Sequence, residues 1–244
     1  MLEKYKRQVV RKPEKLVIEG ETGAGKTTFA CSSHTKNEPV FVINADDGGE
    51  NVFHKTGINL IHDCIPTGDV KENADKWDQL METLREIASE KSGIKRIIID
   101  SVDKVEILAQ AKTCSLHKLS HLEDMGYGKG FSYARGEMAK LLSGLNYLRD
   151  TQSIQPILVC HTQIKTINKP TMEPYDSFVL KLHRSLCGDI MEWADVILFV
   201  AFETIVKKID SGFNRKDSRA IQSGKRFLYT SGSMGVDAKN RFDL

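Results

Sequence analysis

The chain has 244 residues, 40% of them hydrophobic and 28% charged; it is long enough to bury a full core in one large α/β domain or two small ones, and its composition excludes a chain disordered throughout. The longest strongly apolar run, Val196–Phe202, holds seven residues, far short of the roughly 20 a spanning helix needs, so no membrane partner is expected. The net charge of +2 is uneven: residues 1–15 carry six Lys/Arg against two Glu, residues 44–106 fourteen acids against eight bases, and residues 207–241 nine bases against three acids. Basic ends suit a polyanion such as nucleic acid, and they equally suit a plain solvated surface.

In chain order, Lys15–Glu19 is a short β-rich run that leads into a Gly-rich loop, and Thr27–Ser33 follows as a helix. Val40–Asn44 is a second buried strand, bounded by Pro39 and the turn signal Asp46-Asp47-Gly48-Gly49. Ile58–Ile65 reads as a short strand near a sheet edge. Trp77, Leu80, Met81, Leu84, Ile87 and Ala88 recur at helical spacing and mark a helix over Ala74–Glu90. Arg96–Asp100 is a third strand. Ala134, Met138, Leu141, Leu142, Leu145 and Leu148 mark another helix, and Pro156–His161 and Val196–Val200 two more strands. Strands without alternating polarity are buried on both faces, which predicts a mostly parallel sheet flanked by helices. Phe202–Ile209 and Arg226–Thr230 predict a C-terminal β-hairpin, with the polar Asp210–Gly224 between them as a mobile loop.

Cysteines stand at 31, 64, 114, 160 and 187, an odd set without a CxxC pair. With no apolar stretch at the N-terminus to act as a signal peptide, they point to a reducing cytoplasm and not to a disulfide framework.

The strongest motif is Gly20-Glu21-Thr22-Gly23-Ala24-Gly25-Lys26-Thr27, which matches GxxxxGK[ST] and is followed by Thr28. Glycines let backbone N–H groups approach phosphate oxygens, and the helix that follows adds its positive end. Lys26 would reach the β/γ-phosphates and the Thr27 hydroxyl a Mg2+ ion, so ATP and Mg2+ are the expected ligands. Asp100, at the carboxyl end of an apolar strand, is the candidate second metal acid. Asp46 and Asp47 follow another strand end, where a carboxylate could orient an attacking water; the competing reading is a turn acid beside Gly48-Gly49.

These segments together resemble RecA-like recombinase cores: the phosphate loop, the Asp-Asp-Gly-Gly turn, Ile97-Ile98-Ile99-Asp100-Ser101-Val102, and Leu158-Val159-Cys160-His161-Thr162-Gln163 stand in that family's order. By the resemblance, Gln163 is a γ-phosphate sensor and His161 shares its strand end, while aspartate replaces the family's usual glutamate at 46 or 47. The chain is similar still more closely to phage-encoded RecA-like nucleotide-binding proteins of the single-strand annealing class, in Gly126-Tyr127-Gly128-Lys129-Gly130, Tyr175-Asp176, Lys181-Leu182 and Ala238-Lys239-Asn240-Arg241-Phe242. The resemblance implies a basic segment over 1–14, a RecA-like ATPase domain over 15–244, and a slow, DNA-stimulated ATPase on single-stranded DNA in phage recombination. It further implies a homo-oligomer with ATP at subunit interfaces, a single-strand binding protein as a partner, and the bacterial host cytoplasm.

In RecA-like cores the interval corresponding to Asp103–Lys129 holds the first DNA-binding loop. Tyr127, Lys129, Phe131 and Arg135 mix aromatic and basic groups there, as nucleic-acid contacts do; a folded helix-turn with core aromatics is the plainer reading. Gln163–Ser185, with Lys165 and Lys169, reads as a mobile loop coupling ATP state to DNA grip, or as a plain structural connection. Arg226 is a candidate trans finger for a neighbour's γ-phosphate, or a simple strand-flanking charge. Cys114, His117 and His121 fit scattered helix polar residues better than a zinc site, lacking a second Cys/His pair to close it. Met191-Glu192-Trp193 reads as core packing. A helicase loader, a packaging motor, a small-molecule kinase and a non-hydrolysing nucleotide-binding module remain the alternative functions; no Arg-rich lid supports the kinase.

Overall fold

The computed structural model describes residues 10–90, 92–210, 216–233 and 235–242. In chain order the strands are β1 (Leu16–Gly20), β2 (Val40–Asn44), β3 (Leu60–Asp63), β4 (Arg96–Asp100), β5 (Gln155–Ile167), β6 (Tyr175–Leu180), β7 (Val196–Asp210), β8 (Lys216–Tyr229) and β9 (Lys239–Asn240). The helices are α1 (Lys26–Cys31), α2 (Glu50–Thr56), α3 (Val70–Ser89), α4 (Val102–His117), α5 (Lys129–Gln152) and α6 (Arg184–Trp193). Among the described residues the sheet runs β3-β2-β4-β5-β1-β7-β8, parallel from β3 to β7 and antiparallel at β8, with β6 paired to β5 and β9 to β7. The mostly parallel, helix-flanked architecture expected from the apolar strand runs is the one observed.

Successive strand residues serve two cores. Val17, Ile43, Ile97, Ile99, Leu158 and Cys160 face the side covered by α3 to α6, whereas Ile18, Val42, Ile98, Ile157 and Val159 face the side covered by α1 and α2. Both sets are apolar, hence the lack of alternation in the sequence. α3 presents Trp77, Leu80, Leu84 and Ile87 to the larger core, each burial stabilising by about 1.5–3 kcal/mol. It starts earlier than its apolar stripe suggests, because the Asp69 side chain caps it by accepting from Glu72 N–H at 2.7 Å.

Three expectations are corrected. The interval expected to be a DNA-binding loop from Asp103 onward is mostly α4, anchored in the core by Val102, Val105, Leu108 and Ala109. The expected mobile loop Gln163–Ser185 is largely a β-hairpin, since β5 runs on past the sheet edge to Ile167 and pairs with β6 from Thr162↔Leu180 to Ile167↔Tyr175. The linker-like Asp210–Gly224 contributes Lys216–Gly224 to β8, so the C-terminal hairpin is longer than predicted; residues 211–215 lie outside the described residues. Of the basic N-terminal segment, residues 1–9 likewise lie outside them, while Arg11 pairs with Glu14 and Lys12 with Asp150, both at 3.0 Å.

The register places the site. Gly20 pairs with His161, Asp100 with Val159, and Asn44 with Asp100. The carboxyl ends of β1, β4 and β2, and the His161 position of β5, therefore lie along one edge, where ligands bind in open α/β sheets.

Candidate active site

β1 ends at Gly20, whose φ is +146° and where an added Cβ would stand 2.0 Å from the Val200 carbonyl oxygen, so no other residue fits. The loop is further tied to β7: Glu21 N–H donates to the Val200 carbonyl at 3.2 Å, and the Glu21 carboxylate accepts from Phe202 N–H at 3.1 Å. Thr22 and Gly23 are exposed at the loop's crest, Ala24 is buried beneath it, and Gly25 (φ +98°) turns the chain into α1. Lys26 is buried, and its Nζ donates to the carbonyls of Gly20 at 3.0 Å and Glu21 at 2.9 Å. Burial lowers its pKa, against the opposing pull of Asp100, Asp103 and Asp46.

The Thr27 hydroxyl donates to Asp100 Oδ2 at 2.6 Å. Burial raises the Asp100 pKa, with the Thr27 hydrogen bond acting the other way. A hydroxyl and a carboxylate side by side under a phosphate loop form an all-oxygen donor set. That set fits Mg2+, which takes one or two protein oxygens, retains waters and binds substrate phosphates.

The turn after β2 hangs from the same strand end, with Ala45 N–H and Asp46 N–H donating to the Asp100 carbonyl at 2.6 and 3.1 Å. This brings Asp46 Oδ2 to 3.6 Å from His161 Nε2, while Asp47 is exposed. On its other side His161 Nδ1 lies 3.0 Å from Asp103 Oδ1. Burial works to raise the Asp103 pKa, but the hydrogen bond and charge of His161 hold it below its ordinary value. An ionised carboxylate only accepts, so Nδ1 carries the proton and Nε2 is the atom turned to Asp46.

Asp103 was named in the sequence only as the start of an interval, and its role there was missed. The available signal is a second acid three residues after Asp100, in Asp-Ser-Val-Asp.

Gln163 is not in this cluster. It lies beyond His161 on β5, and its Nε2 donates to the Leu180 carbonyl at 3.3 Å within the hairpin. Thr28, exposed on α1, faces a cavity shared with Arg226. Arg226 stands beside the phosphate loop of its own chain, 5.5 Å over the Phe202 ring.

The nucleic-acid candidates divide. Tyr127 is fully exposed in a left-handed turn (φ +47°), and Lys129 is exposed at the start of α5. Lys165 and Lys169 are exposed on the β5–β6 hairpin, Lys169 lying 5.5 Å over the Tyr175 ring, with Ile164 and Met172 exposed beside them. Phe131 is instead stacked on His183 with ring centres 4.5 Å apart, and Arg135 grips Asp189 with two bonds of 2.5 and 2.6 Å. Among the described residues no group of three or more His, Cys, Asp or Glu could hold a metal ion, and His121 lies outside the helix that carries Cys114 and His117. Met191 and Trp193 pack against the core as expected, whereas Glu192 is exposed.

A family model described as an AAA domain matches residues 12–242. Against GPN-loop GTPase 1 of Schizosaccharomyces pombe the chain is 26% identical over 126 residues, 43% of this chain and 33% of that protein, so it spans a third of that relative's length. A solved structure of a prototypical ATPase from the type III secretion system of pathogenic bacteria superposes with a TM-score of 0.51 at 12% identity, over 78% of this chain and 52% of that one. At that identity the likeness is one of fold. Among the described residues no helix is long and apolar enough to cross a membrane.

Proposed function

Since the chain belongs to the AAA domain family of P-loop NTPases, we propose that it is a Mg2+-dependent ATPase, stimulated by single-stranded DNA, that acts in strand annealing during phage recombination. The observation that carries the hydrolytic part is the convergence of Lys26, Thr27, Asp46, Asp100 and His161, positioned by four strands, on one sheet edge. Lys26 neutralises charge on the β/γ-phosphates. Thr27 and Asp100 hold the metal, which when bound neutralises phosphate charge. Asp46 orients the attacking water, and Asp103 steadies His161 beside it, with Nε2 3.6 Å from the Asp46 carboxylate.

The DNA part is supported by continuity. β5 carries His161 at the nucleotide edge and runs straight into a hairpin bearing exposed Ile164, Lys165, Lys169 and Met172. The Lys181 N–H, where β6 ends, donates to the His161 carbonyl at 2.9 Å. A change at the phosphates thus has a rigid path to a basic, partly apolar surface suited to single strands. Homo-oligomerisation with ATP at subunit interfaces, and delivery of DNA by a single-strand binding protein in the host cytoplasm, complete the proposal.

The test is ATP turnover of the purified protein with Mg2+, with and without a single-stranded oligonucleotide and against duplex of the same length. Single strands should raise the rate. Turnover that duplex stimulates equally, or that no DNA changes, overturns the single-strand role, and no turnover in any arm overturns hydrolysis.

A further inference from the structure

The phosphate loop has two flanks. On the flank of β5 and β4 lie His161, Asp100 and Asp46; on the flank of β7 and β8 lies a cavity of about 320 Å³ that those residues do not line. Its walls include Gly25, Thr28, Phe29, Val200, Arg226 and Leu228. Phe29 and Leu228 are each 41% exposed, apolar surface left open directly beside a loop built to bind polyanions.

Arg226 is the charged group of that wall. Strand pairing sets it opposite Phe202, and its guanidinium lies 5.5 Å over that ring. Its Nε is 3.7 Å from where a Gly25 Cβ would stand. The arginine is therefore positioned by its own chain, on the flank away from the metal acid.

We propose that this cavity takes the base of the bound nucleotide and that Arg226 stacks on it; the inference rests on the nucleotide reading above. A nucleotide laid across the loop has its terminal phosphate at Lys26, Thr27 and Asp100, and its other end must leave on the opposite flank. There it meets apolar walls and a planar cation, the surroundings an aromatic heterocycle prefers. A hydrated phosphate would gain nothing from Phe29 and Leu228. Arg226 thus acts in cis on the base and not in trans on a neighbour's γ-phosphate.

Binding of ATP and of inorganic tripolyphosphate, which lacks a base, is measured by calorimetry for wild type, Arg226→Ala and Arg226→Lys. Arg226→Ala should weaken ATP by about 3- to 30-fold, the range of a guanidinium–π contact, and leave tripolyphosphate unchanged. Arg226→Lys keeps the charge but loses the plane, so it should fall with the alanine variant for ATP. Equal losses for both ligands, rescued by lysine, would make Arg226 a phosphate ligand and overturn the proposal. Unchanged ATP binding in both variants overturns it too, while leaving the nucleotide site intact. Wild type that binds neither ligand overturns the nucleotide reading itself. Arg226 is exposed on a surface strand, and equal unfolding temperatures of the three proteins check the fold.

Discussion

His161 and Asp103 are joined twice: the Asp103 carboxylate accepts from the His161 backbone N–H at 3.3 Å and from its ring Nδ1 at 3.0 Å. The pair locks the middle of β5, where it leaves the parallel sheet, to the first turn of α4 and leaves Nε2 turned towards Asp46. Asp103→Asn keeps the shape but loses the charge that fixes the proton on Nδ1. Turnover should drop by roughly 10- to 100-fold, as for other residues that orient a reacting group through a neighbour. KM should stay near wild type, since Asp103 does not touch the phosphate loop's hydrogen bonds. Steady-state kinetics check this; a fall confined to KM would show that Asp103 shapes binding instead.

Lys26→Ala removes the ammonium that bridges the carbonyls of Gly20 and Glu21. Turnover should fall by at least about 100-fold, the scale of losing one preorganised charge at a reacting group. The fold should survive, because β1 and α1 are held by Val17, Ile18 and Ala30 in the two cores. Asp100→Asn should instead shift the Mg2+ titration to higher concentration, with the Thr27 hydroxyl still able to donate to the amide oxygen. Circular dichroism with ATPase titrations separates the two; near-normal turnover by a folded Lys26→Ala protein sinks the nucleotide assignment.

Glu19 lies one residue before the loop, fully buried, and neither carboxylate oxygen has a hydrogen-bond partner among the described residues. Burial, helped by the Asp237 charge, pushes its pKa from 4.5 up to about 8. Between those values the native protein keeps a proton that the unfolded chain has released. The stability from that proton is whole below about 4.5 and is lost as pH rises through about 8. The slope is at most about 1.4 kcal/mol per pH unit. Glu19→Gln removes this titration, so the variant should unfold at a higher temperature than wild type at about pH 9, with the gap closing towards about pH 5. Thermal scans across that range check it; parallel curves would mean that Glu19 does not titrate on unfolding.

The phosphate loop and the Asp100 strand were legible because their chemistry is local: glycines, a lysine and an acid at an apolar strand end. The choice between Asp46 and Asp47 was not, since it depends on which of two neighbours hangs from the Asp100 carbonyl, a long-range bond. α4 escaped because it buries Asp103, Glu106 and Thr113 along with its apolar residues, which blurs the stripe that betrays an amphipathic helix. Phe131 and Arg135 looked like DNA ligands because their partners, His183 and Asp189, lie about fifty residues away. The β-branched residues Thr162, Ile164, Thr166 and Ile167 favour a strand, but without strict alternation and with Pro170 and Pro174 close behind, the segment reads as a loop.

Those partners sharpen the prediction for DNA. Tyr127 offers a fully exposed ring and Lys165 an exposed ammonium, whereas Phe131 and Arg135 are already engaged within the chain. Single strands should bind better than duplex, because a ring can stack only on an unpaired base. Each phosphate neutralised on a single strand contributes about −0.7 to the slope of log K against log salt. Lys165→Ala should flatten that slope by about one such step, and Lys129→Ala likewise. Tyr127→Ala should weaken binding by about 1–3 kcal/mol with the slope unchanged, since stacking releases no counterions. Arg135→Ala should leave both terms as they were, its charge being satisfied by Asp189, and so serves as the internal control. Fluorescence anisotropy of a labelled oligonucleotide at several salt concentrations reads all four. Should Arg135→Ala flatten the slope while Lys165→Ala does not, the contact surface lies along α5 and the hairpin is structural. Should duplex win over single strands, the exposed Tyr127 ring serves some partner other than DNA.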